Sequence, residues 1–135
     1  MMKITINPNF AKKLDGLEDE LTEGMRTATI MMANDAINWS APFVDTGAFI
    51  TSWSITSGGS GRPRGKSSHG KPRLKNNPAA KQAKVEEGRS NLMSDISRID
   101  FENASRITIR NGAPHAIYVD PKHPHVRAKL RNKYG

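Results

Sequence analysis

The chain contains no cysteine among its 135 residues, which excludes a disulfide framework and a zinc–thiolate site. Stability has to come from packing or assembly. No apolar run approaches the roughly 18 residues that cross a bilayer, and the opening, Met1 to Thr5, lacks a signal-peptide core. The expectation is a protein made and used in solution, with no membrane partner. No glycine-rich phosphate loop and no nucleophile-elbow pattern is present. Acid is missing from two stretches. Residues 61–84 hold eight cations without a carboxylate, and residues 121–135 hold five more, again without one. The net charge is +8, so the remainder has eight cations against thirteen carboxylates, a net −5. Basic extensions on an acidic body suit contact with something acidic, either nucleic acid or the body of a neighbouring subunit.

The length fits one domain, residues 1–135, with a modest core. Ile4 and Ile6 alternate as an edge strand that Asn7-Pro8 ends. Phe10, Leu14, Leu17, Leu21, Met25, Ala28, Met32, Ala36 and Trp39 then recur at steps of three and four. This predicts a helix of about 30 residues, roughly 45 Å long, with a local weakness at Gly24. So long a stripe in so short a chain is expected to be covered by a neighbouring subunit. Pro42 stops the helix, Asp45 forms a local turn and Gly47 gives backbone freedom. From Phe49 the chain is expected to alternate as a strand, with Phe49, Thr51, Trp53 and Ile55 on one side and Ile50, Ser52, Ser54 and Thr56 on the other. Residues 57–77 are Gly, Ser, Pro, Lys and Arg with almost nothing to bury, and read as a mobile basic arm. Asn77 as cap and Pro78 at the first helical position announce a second helix with Val85, Leu92, Ile96 and Ile99 on its stripe. Ser105 to Arg110 alternates as a strand, Asn111-Gly112 turns, Ala116 to Val119 is a third short apolar run, and residues 121–135 form a basic tail expected to order only against a partner.

Three chemistries are weighed. Val44-Asp45-Thr46-Gly47-Ala48 resembles the active-site turn of retroviral-type aspartic proteases, which would need the carboxylate to pair across a homodimer. A long helix before the turn is the wrong context, so a structural turn is preferred. His115, His123 and His125 have no recognised metal-ligand spacing, His69 sits in the arm, and no metal or other cofactor is expected. Arg62, Arg64, Lys66, Lys71, Arg73 and Lys75 are candidate contacts to phosphates or to an acidic partner. The arm has no aromatic residue, so base stacking is not expected of it.

Two blocks carry a family resemblance. Trp39-Ser40-Ala41-Pro42-Phe43-Val44-Asp45-Thr46-Gly47-Ala48-Phe49-Ile50-Thr51-Ser52-Trp53 and Ile107-Thr108-Ile109-Arg110-Asn111-Gly112-Ala113-Pro114-His115-Ala116-Ile117-Tyr118-Val119-Asp120 look like the neck or tail-completion family of tailed bacteriophages. That family shows a long N-terminal helix, a Pro-x-Asp-Thr-Gly-x-Leu-x-x-Ser-Trp junction and an Asn-x-x-Pro-Tyr-Ala-x-Tyr-Val-Glu block. Here Phe49 stands at the Leu position, His115 at the Tyr position, and Asp120 where Glu is common. The resemblance spans roughly residues 10–120 and implies an α+β fold, helices on a small, mostly antiparallel sheet. Pro42, Asp45, Thr46, Gly47, Trp53, Asn111, Pro114 and Tyr118 would be its structural junction. It further implies a non-enzymatic virion protein, synthesised in the host cytoplasm, that forms a ring at the head–tail junction. Six subunits are the first expectation and twelve the alternative, with portal, adaptor and tail proteins as partners and genomic DNA in the channel. The basic arm and tail are not part of the family pattern. A non-specific nucleic-acid-binding protein is the alternative from another class, and the homodimeric aspartic protease the third.

Overall fold

Strand β3, Ile107–Asn111, alternates β-branched with polar side chains and lies between β1, Met2–Thr5, and β2, Trp53–Ser57, both antiparallel to it. The computed structural model describes residues 2–6, 21–58, 61, 63–65, 70–104, 106–114 and 126–135. Three helices pack with this sheet: α1, Leu21–Ser40, α2, Pro78–Ser97, and α3, Val126–Tyr134, giving an α+β fold.

Residues directly opposite each other on neighbouring strands share a face. Ile4, Ile109 and Ile55 are in line across the sheet, and Trp53 stands opposite Asn111. With Ile107 these side chains form one buried face, continuous with Met25, Ala28, Met32, Ala36 and Ile37 of α1 and Leu92 of α2. The other face is polar, carrying Lys3, Thr5, Ser54, Thr56, Thr108 and Arg110, with Thr5 Oγ1 and Thr108 Oγ1 3.3 Å apart. The clean apolar–polar division is therefore a property of the sheet.

Part of the expected N-terminal helix is present. Helix α1 has 20 residues, about 30 Å, and runs through a buried Gly24 without a break. The expected first turns, with Phe10, Leu14 and Leu17, lie outside the described residues. From Met25 to Ile37 the stripe is covered by the chain's own elements, while Ile30, off the stripe, is exposed. This corrects the expectation that the stripe over this part of the helix needs a neighbouring subunit.

The strand does not begin at Phe49. Ile50–Ser52 is a 3₁₀ turn, held because Thr51 Oγ1 donates to Gly47 O at 2.6 Å and Ser52 Oγ to Ala48 O at 2.6 Å. Short hydroxyl side chains that bond back to the main chain compete with extended pairing. All residues from Val44 through Ile55 are buried except Asp45 and Thr46, so no solvent-facing side exists over 49–55. Helix α2 matches expectation at its start, where Asn77 Oδ1 accepts from Ala80 N at 3.0 Å ahead of Pro78. It ends at Ser97, with Ile96 inside it. Gly88, which interrupts the stripe on paper, is the point of closest approach. A Cβ there would lie 2.6 Å from Ile50 O.

The C-terminal stretch departs most from expectation. Instead of a tail awaiting a partner, residues 126–134 form α3, and Val126, Leu130 and Tyr134 are fully buried against α1 and β1. Their spacing of four puts them on one helical face, leaving Arg127, Lys129, Arg131 and Lys133 outward. Lys133 Nζ lies 2.8 Å from Asp35 Oδ2, and the Tyr134 hydroxyl donates to the same carboxylate. Burial, reinforced by Asp35, raises the Tyr134 phenol well above its usual range, so it remains a donor. Lys129 and Lys133 also stand over the Trp39 ring at 5.6 and 5.8 Å. Truncating Leu130 to Ala should cost about 2–5 kcal/mol, read as a lower urea midpoint at unchanged slope. A variant that melts like the parent would place α3 outside the core.

Candidate functional site: the joint between two sequence blocks

The C-terminal turn of α1 ends in a buried serine. Ser40 Oγ donates to Ala36 O at 2.6 Å and accepts from Trp53 Nε1 at 3.2 Å, linking the helix end to the first residue of β2. Between them Ala41–Phe43 makes one 3₁₀ turn with Pro42 near its start, exposed, and Val44 returns to extended backbone. Thr46 Oγ1 accepts from Ala48 N at 3.3 Å, closing a short side-chain turn. Gly47 has φ +88, and a Cβ on it would lie 2.6 Å from the Lys84 side chain. Both the left-handed backbone and the crowding call for glycine.

The second block closes on the first. Asn111 is the last residue of β3 and not the turn expected of Asn111-Gly112, because its buried amide is used to bind main chain. Its Nδ2 donates to Phe49 O at 2.8 Å and its Oδ1 accepts from Ala113 N at 3.0 Å. Gly112 N donates to Ser52 O at 3.2 Å. The Phe49 and Trp53 rings meet edge to face with centroids 5.6 Å apart. Pro114 is exposed just beyond, and Tyr118 lies outside the described residues.

Asp45, the residue on which protease chemistry would rest, is a surface carboxylate. It is 57% exposed and 3.7 Å from Arg73, itself 80% exposed, while its carbonyl accepts from Leu74 N at 2.7 Å. Its ion partner within the chain is the Arg73 guanidinium. The adjoining cavity, lined by Thr46, Gly47, Ala48, Thr51, Lys71, Lys84 and Glu87, has a volume of about 60 Å³, the scale of ordered water and well below that of substrate pockets. Among the described residues no group of three His, Asp or Glu is placed to hold a metal ion. His69, His115, His123 and His125 lie outside them. No helix among the described residues is long and apolar enough to cross a membrane.

The basic arm divides. Arg62 and Lys66 are outside the described residues, and Lys71, Arg73 and Lys75 are exposed. Arg64 is anchored. Its backbone N donates to Ser54 Oγ at 2.9 Å, its guanidinium pairs with both Asp95 oxygens at 2.7 Å, and Nη1 also donates to Trp53 O at 3.0 Å. Arg110 Nη2 reaches Gly61 O at 2.8 Å, so Gly61 and Arg64 are tied to the polar face of the sheet. The expectation that Arg64 contacts a partner is corrected: a bidentate pair with Asp95, whose side chain is only 10% exposed, commits it within the chain. Asp95 carried no signal in the sequence beyond being the one acid on the last turns of α2.

Comparison with family models, with characterised proteins and with solved structures returns no match to this chain.

The joint predicts an order of damage. Trp53→Ala should cost about 3–5 kcal/mol and Asp45→Asn no more than about 1 kcal/mol. Gly47→Val should be clearly destabilising through strain at positive φ and contact with Lys84. Chemical denaturation of the three variants checks the order. A peptidase activity abolished by Asp45→Asn would return the junction to catalysis.

Proposed function

We propose that this chain is a non-enzymatic structural protein of the tailed-phage virion, a ring-forming subunit at the head–tail junction that joins portal-side proteins to the tail. One observation carries the reading. The two blocks that resemble the neck and tail-completion family are far apart in sequence but meet at one buried joint, where Asn111 binds Phe49 O and Gly112 binds Ser52 O. In this joint Gly47, Trp53 and Asn111 serve as backbone and packing devices, and Asp45 is an exposed ion-paired turn residue. That is what a scaffold motif requires and what a catalytic turn does not. The α+β arrangement agrees with the fold the resemblance implies. The exposed cations Lys71, Arg73 and Lys75 then serve docking to an acidic surface, with channel DNA as the other acidic neighbour.

Native mass spectrometry of the purified chain should give a closed ring, six copies being the first expectation. Reversing Lys71, Arg73 and Lys75 to Glu should leave the melting temperature within a few degrees of the parent while lowering incorporation into virions severalfold. Arg64 is left out of the reversal because it is structural. A chain that stays monomeric, binds duplex DNA with a steep salt dependence and never enters virions would instead be a non-specific nucleic-acid-binding protein.

A further inference from the structure

The sheet has two outer strands, and the hydrogen-bond register tells which of their groups point outward. Gly112 N to Ser52 O and Gly58 N to Arg106 O make the even-numbered residues of β2 the ones bonded to β3. Trp53, Ile55 and Ser57 therefore turn their backbone groups to the free edge. Half of that edge is closed: Trp53 O accepts from Arg64, and Ile55 N donates to Asp95 Oδ2 at 3.0 Å. Ile55 O and both backbone groups of Ser57 have no partner among the described residues. They border a cleft of about 260 Å³ lined by Ile55, Thr56, Ser57, Asp95, Arg98 and Ile99. Thr56 Oγ1, at that cleft, is buried and without a hydrogen bond, a costly state that an added polar neighbour relieves.

The opposite margin is complementary. Ile6 N bonds Ile107 O, so Ile4 and Ile6 face β3 while Lys3 and Thr5 turn their backbone groups outward, also without partners among the described residues. Charge follows the same division. Lys3 and the helix packed on β1, α3, present Lys129 and Arg131, while Lys133 is paired with Asp35. Beside the β2 cleft stand exposed Asp100 and Glu102 together with the guanidiniums of Arg98 and of Arg106, which is held on Gly58 O, so this margin carries acids that the β1 margin lacks. Open edges on soluble proteins are ordinarily blocked. Here one is blocked by an ion pair for half its length and, among the described residues, open for the rest.

We infer that the open half of the β2 edge receives strand β1 of a second copy of this chain, so that the sheet continues from subunit to subunit. Such a contact is head-to-tail, and head-to-tail contacts generate rings when the rotation closes. This rests on the ring reading and names the surface that builds the ring.

Proline tests it, because proline removes an N–H and is tolerated where that N–H faces away from the sheet. Ser57→Pro blocks the β2 edge and Lys3→Pro blocks the β1 edge. Each variant alone should be monomeric by native mass spectrometry, with the circular dichroism and melting temperature of the parent. Mixed together, they should form a one-to-one heterodimer that grows no further, since each retains the edge the other has lost. Backbone amide exchange on the parent gives a check independent of mutation: Ser57 and Lys3 amides should be at least tenfold slower in the assembled form than in subunits dissociated by salt. Rings that persist in either variant, no heterodimer on mixing two folded variants, or unchanged exchange would overturn the edge contact and leave the ring reading standing. A parent chain that never assembles would overturn both.

Discussion

Trp53 is the residue through which the separate parts of this chain are joined. Its side chain is fully buried, and its indole N–H reaches Ser40 at the end of α1. Its carbonyl accepts from Arg64, and it stands opposite Asn111 in the sheet. One residue thus links the first helix, the polar crossing segment and the central strand. A buried indole satisfies its donor only if a partner is held at the right depth. Ser40 is so held because it also bonds back into its own helix. Asn111 then connects β3 to the carbonyl of Phe49, fixing the 3₁₀ turn that carries the chain into Trp53.

The polar side of the sheet is organised around charge in the same economical way. The polar face of the sheet is covered as well, with Ser54, Thr108 and Arg110 buried. Here Gly61 and Arg64 are bound to it through Arg110 and Ser54. The Arg64–Asp95 pair extends from that face around the β2 edge to α2, covering an edge carbonyl and an edge amide as it does so. A partly buried bidentate pair differs in kind from the exposed Asp45–Arg73 contact, which is screened and worth little. The basic stretch therefore contains both a structural cation and exposed ones, and total charge alone does not separate them.

What the sequence made legible followed short-range rules. The Asn77-Pro78 helix start, the edge strand at Ile4, the alternating central strand at Ile107 and the special backbone of Gly47 were readable because caps, period-two patterns and glycine act over a few residues. The 3₁₀ turn at Ile50 was hidden, since Thr51 and Ser52 look like strand residues until their hydroxyls find Gly47 O and Ala48 O. The fixed role of Arg64 was hidden because its counter-charge is 31 residues away. Helix α3 did show a signal, the spacing of Val126, Leu130 and Tyr134, but the density of lysine and arginine around it argued for a solvated tail. Of the junction residues, Trp53 and Asn111 are brought together by the fold, while Pro42 and Pro114 stay at its surface. Gly88 looked like a flaw in a helical stripe and is a close-packing position. For Arg64, α3 and Gly88 a long-range contact prevailed over a local tendency, whereas the 3₁₀ turn rests on hydroxyl bonds four residues back.

On the proposed reading, this joint supports an assembled ring at the junction of phage head and tail. Cryo-electron microscopy of virions carrying the chain with a compact C-terminal fusion tests it most directly, because Gly135 is exposed beside α3. The account predicts added density repeated around the axis between portal and tail, absent from virions made with the untagged chain. Virions that lack the chain, or that carry the added density anywhere other than the head–tail junction, would contradict it.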